Sequence, residues 1–205
     1  WLDSVETDTP CFGNVFTNIN IEDTSDGFWF SNGCFQNVVN NSRIFGTTRN
    51  AIAISTDAHD NLFHGVVIDD CGDLSGDIKS ISVLNTAGIE NNFYKIRVFN
   101  SPYTAMTVGN AYGTIQDSVF YNSGQLGGNP SWFLSLAISG SKWRILNNKF
   151  LDDQTIHTQN YCIYLTEDAF DCDIKNNCFE NWRYQCVSPT SRNNKYSLWR
   201  DHSSG

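Results

Sequence analysis

The chain has 205 residues, of which 40% are hydrophobic, 14% aromatic and 17% charged. Disordered chains are richer in charge and poorer in aromatic residues, so this composition predicts a folded domain with a core. Thirteen Lys and Arg against 22 Asp and Glu give a formal net charge of −9. That charge disfavours nucleic acid as a partner, and the lack of any apolar run of about 18 residues predicts no membrane insertion.

A short block recurs along the chain, with an apolar anchor, two variable residues and then alternating apolar residues. Its copies begin, in steps of 19 to 30 residues, at Phe16, Phe35, Phe63, Phe93, Ile115, Ile145 and Ile174. A further short apolar strand lies between successive blocks, at Phe28–Phe30, Ile52–Ile54, Ile81–Val83, Met106–Val108, Leu136–Ile138 and Ile163–Leu165. Repeats of this length with several strands each, joined by Asn, Gly and Ser bends, predict a parallel β-solenoid of about seven coils.

Two copies of the block carry a family resemblance. Residues 145–150 read I-L-N-N-K-F and residues 174–179 read I-K-N-N-C-F. They resemble the I-x-N-N-x-F/I repeat of right-handed parallel β-helices, the pectate-lyase-like proteins, which include bacteriophage tailspikes and capsule depolymerases. The resemblance implies an all-β, right-handed parallel β-helix over residues 1–205, a single domain that we expect to be a segment of a longer chain. It also implies that one turn position repeats from coil to coil as a column of stacked residues. Asn18, Asn37, Asn147 and Asn176 would form this column, and Gly65, Lys95 and Asp117 would interrupt it.

In proteins of that family, the outer face of the first sheet usually binds glycans. The outward positions would be Trp29, Ala53, Ser55, Ser82, Thr107, Ala137, Tyr164 and Thr166. Trp29 and Tyr164 are candidate platforms for a sugar ring, and Trp132 could lean over the groove from the long segment 122–132. The alternative is that these rings pack against a covering loop or a neighbouring subunit.

Acidic residues concentrate in the segment 69–77. Glycoside hydrolysis commonly uses two carboxyl groups, one as acid and one as base or nucleophile. We therefore expect a catalytic rim where carboxylates from consecutive coils converge, formed by Asp57, Asp60, Asp70, Asp73, Asp77 and Glu90. Glu167 and Asp168 form a second candidate point. The alternative is that these acids are solvated turn residues.

The seven cysteines show no paired C-x-x-C spacing, which disfavours a zinc site. We predict no metal site and no cofactor. A disulfide framework is typical of smaller secreted chains, which makes buried free thiols the main expectation. Ser/His/Asp and Cys/His nucleophile sites and phosphate-binding loops have no convincing match. The acidic and histidine motifs of polygalacturonases, and the first-sheet Arg of calcium-dependent pectate lyases, are also missing.

These observations predict a glycan-recognising segment of a phage tailspike, a virion tail appendage that binds a bacterial surface polysaccharide. We expect it to depolymerise this polymer by acid/base hydrolysis, as an endo-glycosidase rather than a lyase, and to form a homotrimer. One alternative is a non-catalytic receptor-binding or structural fibre segment. Another is a secreted polysaccharide lyase, epimerase or fructotransferase.

Overall fold

The computed structural model describes residues 11–72, 79–109, 112–124, 134–154, 161–180, 185–187 and 195–200. These residues contain 21 strands and no helix, and every strand pair is parallel. The prediction of an all-β parallel solenoid is therefore confirmed. Within the described residues, no helix is long and apolar enough to cross a membrane.

Each coil contributes three strands in turn. The first strands are β1 (Val15–Thr17), β4 (Val38–Asn40), β7 (Leu62–His64), β10 (Asn91–Tyr94), β13 (Gly113–Gln116), β16 (Arg144–Leu146) and the first part of β19 (Asp173–Glu180). The second strands are β2 (Asn20–Glu22), β5 (Arg43–Phe45), β8 (Val67–Asp69), β11 (Arg97–Phe99), β14 (Val119–Tyr121) and β17 (Lys149–Leu151). The third strands are β3 (Phe28–Phe30), β6 (Ile52–Ile54), β9 (Ile81–Val83), β12 (Met106–Val108), β15 (Leu134–Ile138), β18 (Tyr161–Leu165) and β20 (Gln185–Val187).

The first and second strands form two stacks of one 14-stranded sheet, joined through the continuous strand β19. The last strand, β21 (Lys195–Arg200), pairs with β19. The third strands form a separate seven-stranded sheet, which we call the short sheet. The solenoid makes about five turns, slightly fewer than the predicted seven coils.

Six of the seven predicted anchors share one register, but Phe35 does not. Phe16 pairs with Val39, and Val39 pairs with Phe63, so Val39 is the anchor of the second coil. Phe35 instead stacks between the rings of Phe12 and His59, with centroids 5.1 and 5.2 Å away. Phe35-x-x-Val38 matches the local pattern, but only Val39 places an inward apolar side chain two residues before a left-handed turn residue.

Left-handed backbone makes the sharp bend between the first and second strands, which we call the first corner. Seven residues occupy it with φ between 47° and 66°: Asn18, Asn41, Gly65, Lys95, Asp117, Asn147 and Asn176. Asn and Gly tolerate this conformation best. The predicted column is therefore correct for Asn18, Asn147 and Asn176, but Asn41 replaces Asn37.

Asn37 belongs to a different corner, between the short sheet and the first strand of the next coil, which we call the ladder corner. Its side chain accepts bonds from Asn14 and donates to Asn61 Oδ1 at 3.0 Å, and Asn61 donates to Asn91 Oδ1 at 3.0 Å. Asn37, Asn61 and Asn91 are at most 1% exposed. This ladder satisfies the buried backbone of four successive turns.

The ladder stops at Gly113, the next position of the same column. A Cβ atom on Gly113 would lie 2.8 Å from the ring of Trp143, so the missing side chain makes room for that fully buried ring. A second buried ladder then begins at the first corner, where the backbone N–H of Ser118 donates to Asn148 and that of Asn148 donates to Asn177. The coils before and after Gly113 are thus held by amide ladders on different corners.

Candidate functional site

The short sheet corresponds to the first sheet of the predicted β-helix. Its outer face carries the predicted column of outward side chains. Trp29, Ala53, Ser82, Thr107, Ala137 and Tyr164 pair in register along it. Trp29 is 39% exposed. Ala53 and Ser82 are only 4% and 8% exposed, so the centre of this face offers little accessible surface.

The two aromatic residues of this face lie too far apart to share one sugar. Five strand spacings of about 4.8 Å separate the strands of Trp29 and Tyr164, roughly 24 Å in all. The ring of Trp29 is covered on one face by the guanidinium of Arg49, 5.5 Å from its centroid. Tyr164 instead packs against Tyr161, with centroids 5.7 Å apart. Trp132 lies outside the described residues.

Three of the predicted acids lie together at the ladder corner. Asp60 and Glu90 occupy its left-handed position in successive coils, with φ of 54° and 61°, and Asp57 precedes them in the turn after β6. The backbone N–H of Asp60 donates to the carbonyl of Ile89 at 3.0 Å, which sets Asp60 and Glu90 one coil apart.

Asp60 and Glu90 are both engaged by neighbouring side chains. His59 Nδ1 lies 2.9 Å from Asp60 Oδ2, and the hydroxyl of Tyr112 hydrogen-bonds with Glu90. Burial, and then the charges of Glu90 and Asp60, raise the pKa of Tyr112. We call Asp60 and Glu90 the ridge of the ladder corner. Their contacts with a histidine and a tyrosine are suited to stabilising the turn rather than to enclosing a sugar.

Asp70 lies at a different place from these three acids. It follows β8 and precedes β9, whereas the turn that carries Glu90 follows β9. Asp70 and Glu90 are therefore at opposite ends of the same short-sheet strand, and the predicted single rim divides into two corners. Asp73 and Asp77 are outside the described residues.

Asp70 borders a groove at the corner between the second strand of each coil and the short sheet, which we call the groove corner. The groove has a volume of about 450 Å³ and is lined by Asp23, Phe45, Gly46, Thr47, Thr48, Asp70 and Gly72. Asp23, Gly46 and Asp70 hold the left-handed position of three successive coils, with φ of 50°, 65° and 51°.

The absence of a side chain on Gly46 opens this groove. A Cβ atom there would lie 2.6 Å from Asp23 Oδ1, so any other residue would collide with the Asp23 carboxylate beside the groove. Asp23 and Asp70 are exposed, and two coil spacings of about 4.8 Å place their backbones roughly 10 Å apart. The groove is thus a channel with one carboxylate at each side.

The rest of the lining offers both apolar and polar contacts. Phe45 supplies a ring, with the guanidinium of Arg43 5.7 Å from its centroid. Thr47 Oγ1 already donates to the carbonyl of Arg49, while Thr48 is exposed. An aromatic ring beside hydroxyl and carboxyl groups is the mixture of contacts that a sugar can use.

The second predicted acidic point lies apart from Asp152 and Asp153, the acids that precede strand β18. Glu167 and Asp168 are exposed in the turn after β18. Asp152 is fully buried before β18, at the other end of that strand from Asp168. Asp153 accepts a hydrogen bond from the hydroxyl of Tyr121, which lowers the pKa of Asp153.

Sequence reasoning did not place Asp23 beside the same groove as Asp70. A signal was available, since Asp23, Gly46 and Asp70 each follow the second strand of their coil directly. Aligning the chain on second strands rather than on first-strand anchors would have placed the three residues in one column. Among the described residues, no group of three or more His, Cys, Asp or Glu side chains is arranged to hold a metal ion.

The expectation for the cysteines was wrong for one pair. Cys11 and Cys34 form a disulfide between adjacent coils, with Cα atoms 4.7 Å apart. This structure shows the other five cysteines as thiols, and Cys71, Cys162, Cys172 and Cys186 among them are buried.

Comparisons of the chain with protein-family models, curated proteins and solved structures gave no match. The assignment of the chain as a parallel β-solenoid therefore rests on the structure alone.

Proposed function

We propose that the protein binds a bacterial surface polysaccharide in the groove corner and hydrolyses it with Asp23 and Asp70. The observation that carries this proposal is the pair of exposed carboxylates on either side of the side-chain-free position Gly46. Inverting glycosidases hold their two carboxyl groups about 6.5–9.5 Å apart, which leaves room for the attacking water. Two acids two coils apart can reach that range.

The charge of the chain restricts the kind of glycan. A formal net charge of −9 and two acids at the groove disfavour a polyanionic polymer. We therefore propose a neutral or amino-sugar polysaccharide. The ring of Phe45 would contact the apolar face of a sugar, and Thr48 would contact its hydroxyl groups.

The resemblance of the sequence to pectate-lyase-like proteins supports a phage tailspike as the parent protein, with a homotrimer as its assembly. Exposed apolar residues on the ladder corner support association between copies, since Phe12, Ile89 and Phe170 are 62%, 47% and 47% exposed. Light scattering on the complete protein tests this assembly, and a stable monomer would contradict it.

A second candidate function is glycan binding without hydrolysis, as in a receptor-binding fibre. It is favoured by the exposure of both groove acids, because a general acid at neutral pH usually needs a desolvated environment that keeps its carboxyl group protonated.

The test is incubation with a panel of bacterial capsules and O-antigens, followed by detection of new reducing ends and of unsaturated sugars. We expect reducing ends without unsaturation, and a fall of at least about 100-fold in rate for Asp23→Asn and Asp70→Asn. Asp60→Asn is the matched control, since it changes an acid at an equivalent left-handed position outside the groove.

The other outcomes separate the candidates. Unsaturated products would identify a lyase, and binding without cleavage would leave the fibre function. Full activity in both groove variants would contradict the assignment of Asp23 and Asp70.

A further inference from the structure

Two cysteines near the C-terminal end of the described stack face each other in adjacent coils. Strand β18 pairs with β20 in a register that joins Tyr161 to Gln185 and Ile163 to Val187. Cys162 and Cys186 are the residues between these pairs, so they are direct neighbours on the same face of the short sheet. We propose that Cys162 and Cys186 form a second disulfide between adjacent coils.

The chain itself supplies the geometric precedent. Cys11 and Cys34 stand in the same relation, one residue before the parallel bridge between Phe12 and Phe35, and they are bonded. Their sequence separation is 23 residues, and that of Cys162 and Cys186 is 24. A Cα separation of one coil, 4.7 Å at the first pair, lies within the range that disulfides span.

The surroundings of the pair favour a bond made during folding. Cys162 is 0% and Cys186 7% exposed, and both belong to the hydrophobic core. Burial, and then the nearby Cys186, Asp152 and Cys178, raise the pKa of Cys162 well above its ordinary value. A buried thiol with little thiolate reacts slowly, so the exchange takes place before strand β20 docks.

The oxidant of this step is a small disulfide such as oxidised glutathione. One thiolate attacks it, forms a mixed disulfide and releases one glutathione thiolate. The second cysteine, as thiolate, then attacks the protein sulfur of the mixed disulfide and releases the second glutathione. The two protein thiols lose two electrons and two protons, and one glutathione disulfide becomes two thiols.

The bond would act at one edge of the short sheet. Strand β20 is an edge strand there, since within the described residues it pairs with β18 alone. An edge strand opens more readily than a central one because it lacks one neighbour. A disulfide at this position would tie it to β18, as Cys11–Cys34 ties the first two coils.

A thiol count after refolding with and without glutathione disulfide tests the proposal. The chain has seven cysteines, so two bonds leave three thiols in denaturant, whereas Cys11–Cys34 alone leaves five. Cleavage after Lys and Arg and before Asp places Cys162, Cys172, Cys178 and Cys186 on four different peptides. Mass spectrometry of the wild-type digest therefore identifies the bonded pair without relying on a variant that must fold.

We expect a linked pair of peptides that contain Cys162 and Cys186, and loss of that pair alone in Cys186→Ser. Cys172→Ser, which changes another buried cysteine, should keep both bonds. Amide exchange at residues 185–187 should slow by about 100-fold in the oxidised protein. Five thiols after oxidative refolding, or a bond from Cys178 to either cysteine, would overturn the proposal.

Discussion

The ladder corner and the groove corner use the same left-handed turn position for opposite purposes. At the ladder corner, Asp60 and Glu90 lie above a buried amide ladder and bond to His59 and Tyr112. At the groove corner, Gly46 separates Asp23 from Asp70 and leaves an open channel. A column of acids therefore does not by itself identify a site in this solenoid. The proposed site depends instead on the missing side chain between two acids.

Breaking the buried ladder should have the largest effect on stability. Asn61 accepts from the backbone and side chain of Asn37 and donates to Cys34 and Asn91, at 3.0 to 3.1 Å, with no exposed surface. Asn61→Ala would leave several buried groups without partners, so we expect a loss of about 3–5 kcal/mol in unfolding free energy. Denaturant unfolding measures it.

The control for the ladder variant is Asn18→Gly, at an exposed left-handed position with φ of 58°. It should change the unfolding free energy by less than about 0.5 kcal/mol. Equal losses in the two variants would show that the buried ladder is not what holds the corner.

Filling the groove should separate activity from stability. Gly46→Ala places a Cβ atom between the two acids, and we expect about a 10-fold loss of hydrolysis if the channel holds the reacting sugar. Gly65→Ala is a close control, since φ is 65° at Gly46 and 66° at Gly65, and each new Cβ would lie within 2.7 Å of a side-chain oxygen. Both should lose about 1 kcal/mol of stability. Equal activities would remove the groove from the mechanism.

Changing the ridge of the ladder corner should have little effect. His59 and Asp60 form a partly buried pair, with side chains 37% and 35% accessible. Such pairs contribute about 0–1 kcal/mol, and Asn tolerates the left-handed backbone that Asp60 occupies. Asp60→Asn should therefore unfold within about 1 kcal/mol of the wild type and bind glycan unchanged. Loss of binding in this variant would move the site to the ladder corner.

The smallest effect should be present across intermediate pH and disappear at extreme pH. The bond from Tyr121 to Asp153 is the main cause that lowers the pKa of Asp153 and raises the pKa of Tyr121. The lowered pKa contributes stability that is present above the ordinary Asp value near 3.8 and is lost as pH falls through the lowered value. The raised pKa contributes stability that is present below the ordinary Tyr value of 10.0 and is lost as pH rises through the raised value.

Tyr121→Phe removes both contributions. Its unfolding free energy should therefore lie below that of the wild type between these limits and approach it at either extreme. Denaturant unfolding across the pH range measures the difference. A constant difference at every pH would show that the variant changes packing and not this bond.

Much of the fold followed from the sequence because coil stacking is local and repetitive. Phe63, Phe93, Ile115, Ile145 and Ile174 recur with alternating apolar neighbours, and a parallel stack is the arrangement that buries them all. The outward column from Trp29 to Tyr164 followed for the same reason, since side chains alternate across a strand.

The tertiary structure alone decided the register and the neighbours across coils. Phe35 and Val39 both fit the repeat locally, and only the pairing with Phe16 and Phe63 selects Val39. Asp23 and Asp70 are 47 residues apart in sequence, and the stacking of the coils sets them two coils apart with Gly46 between them. The sequence determines which residues bend the chain. Because loop lengths vary from coil to coil, the hydrogen bonds between strands determine which bends lie next to each other in successive coils.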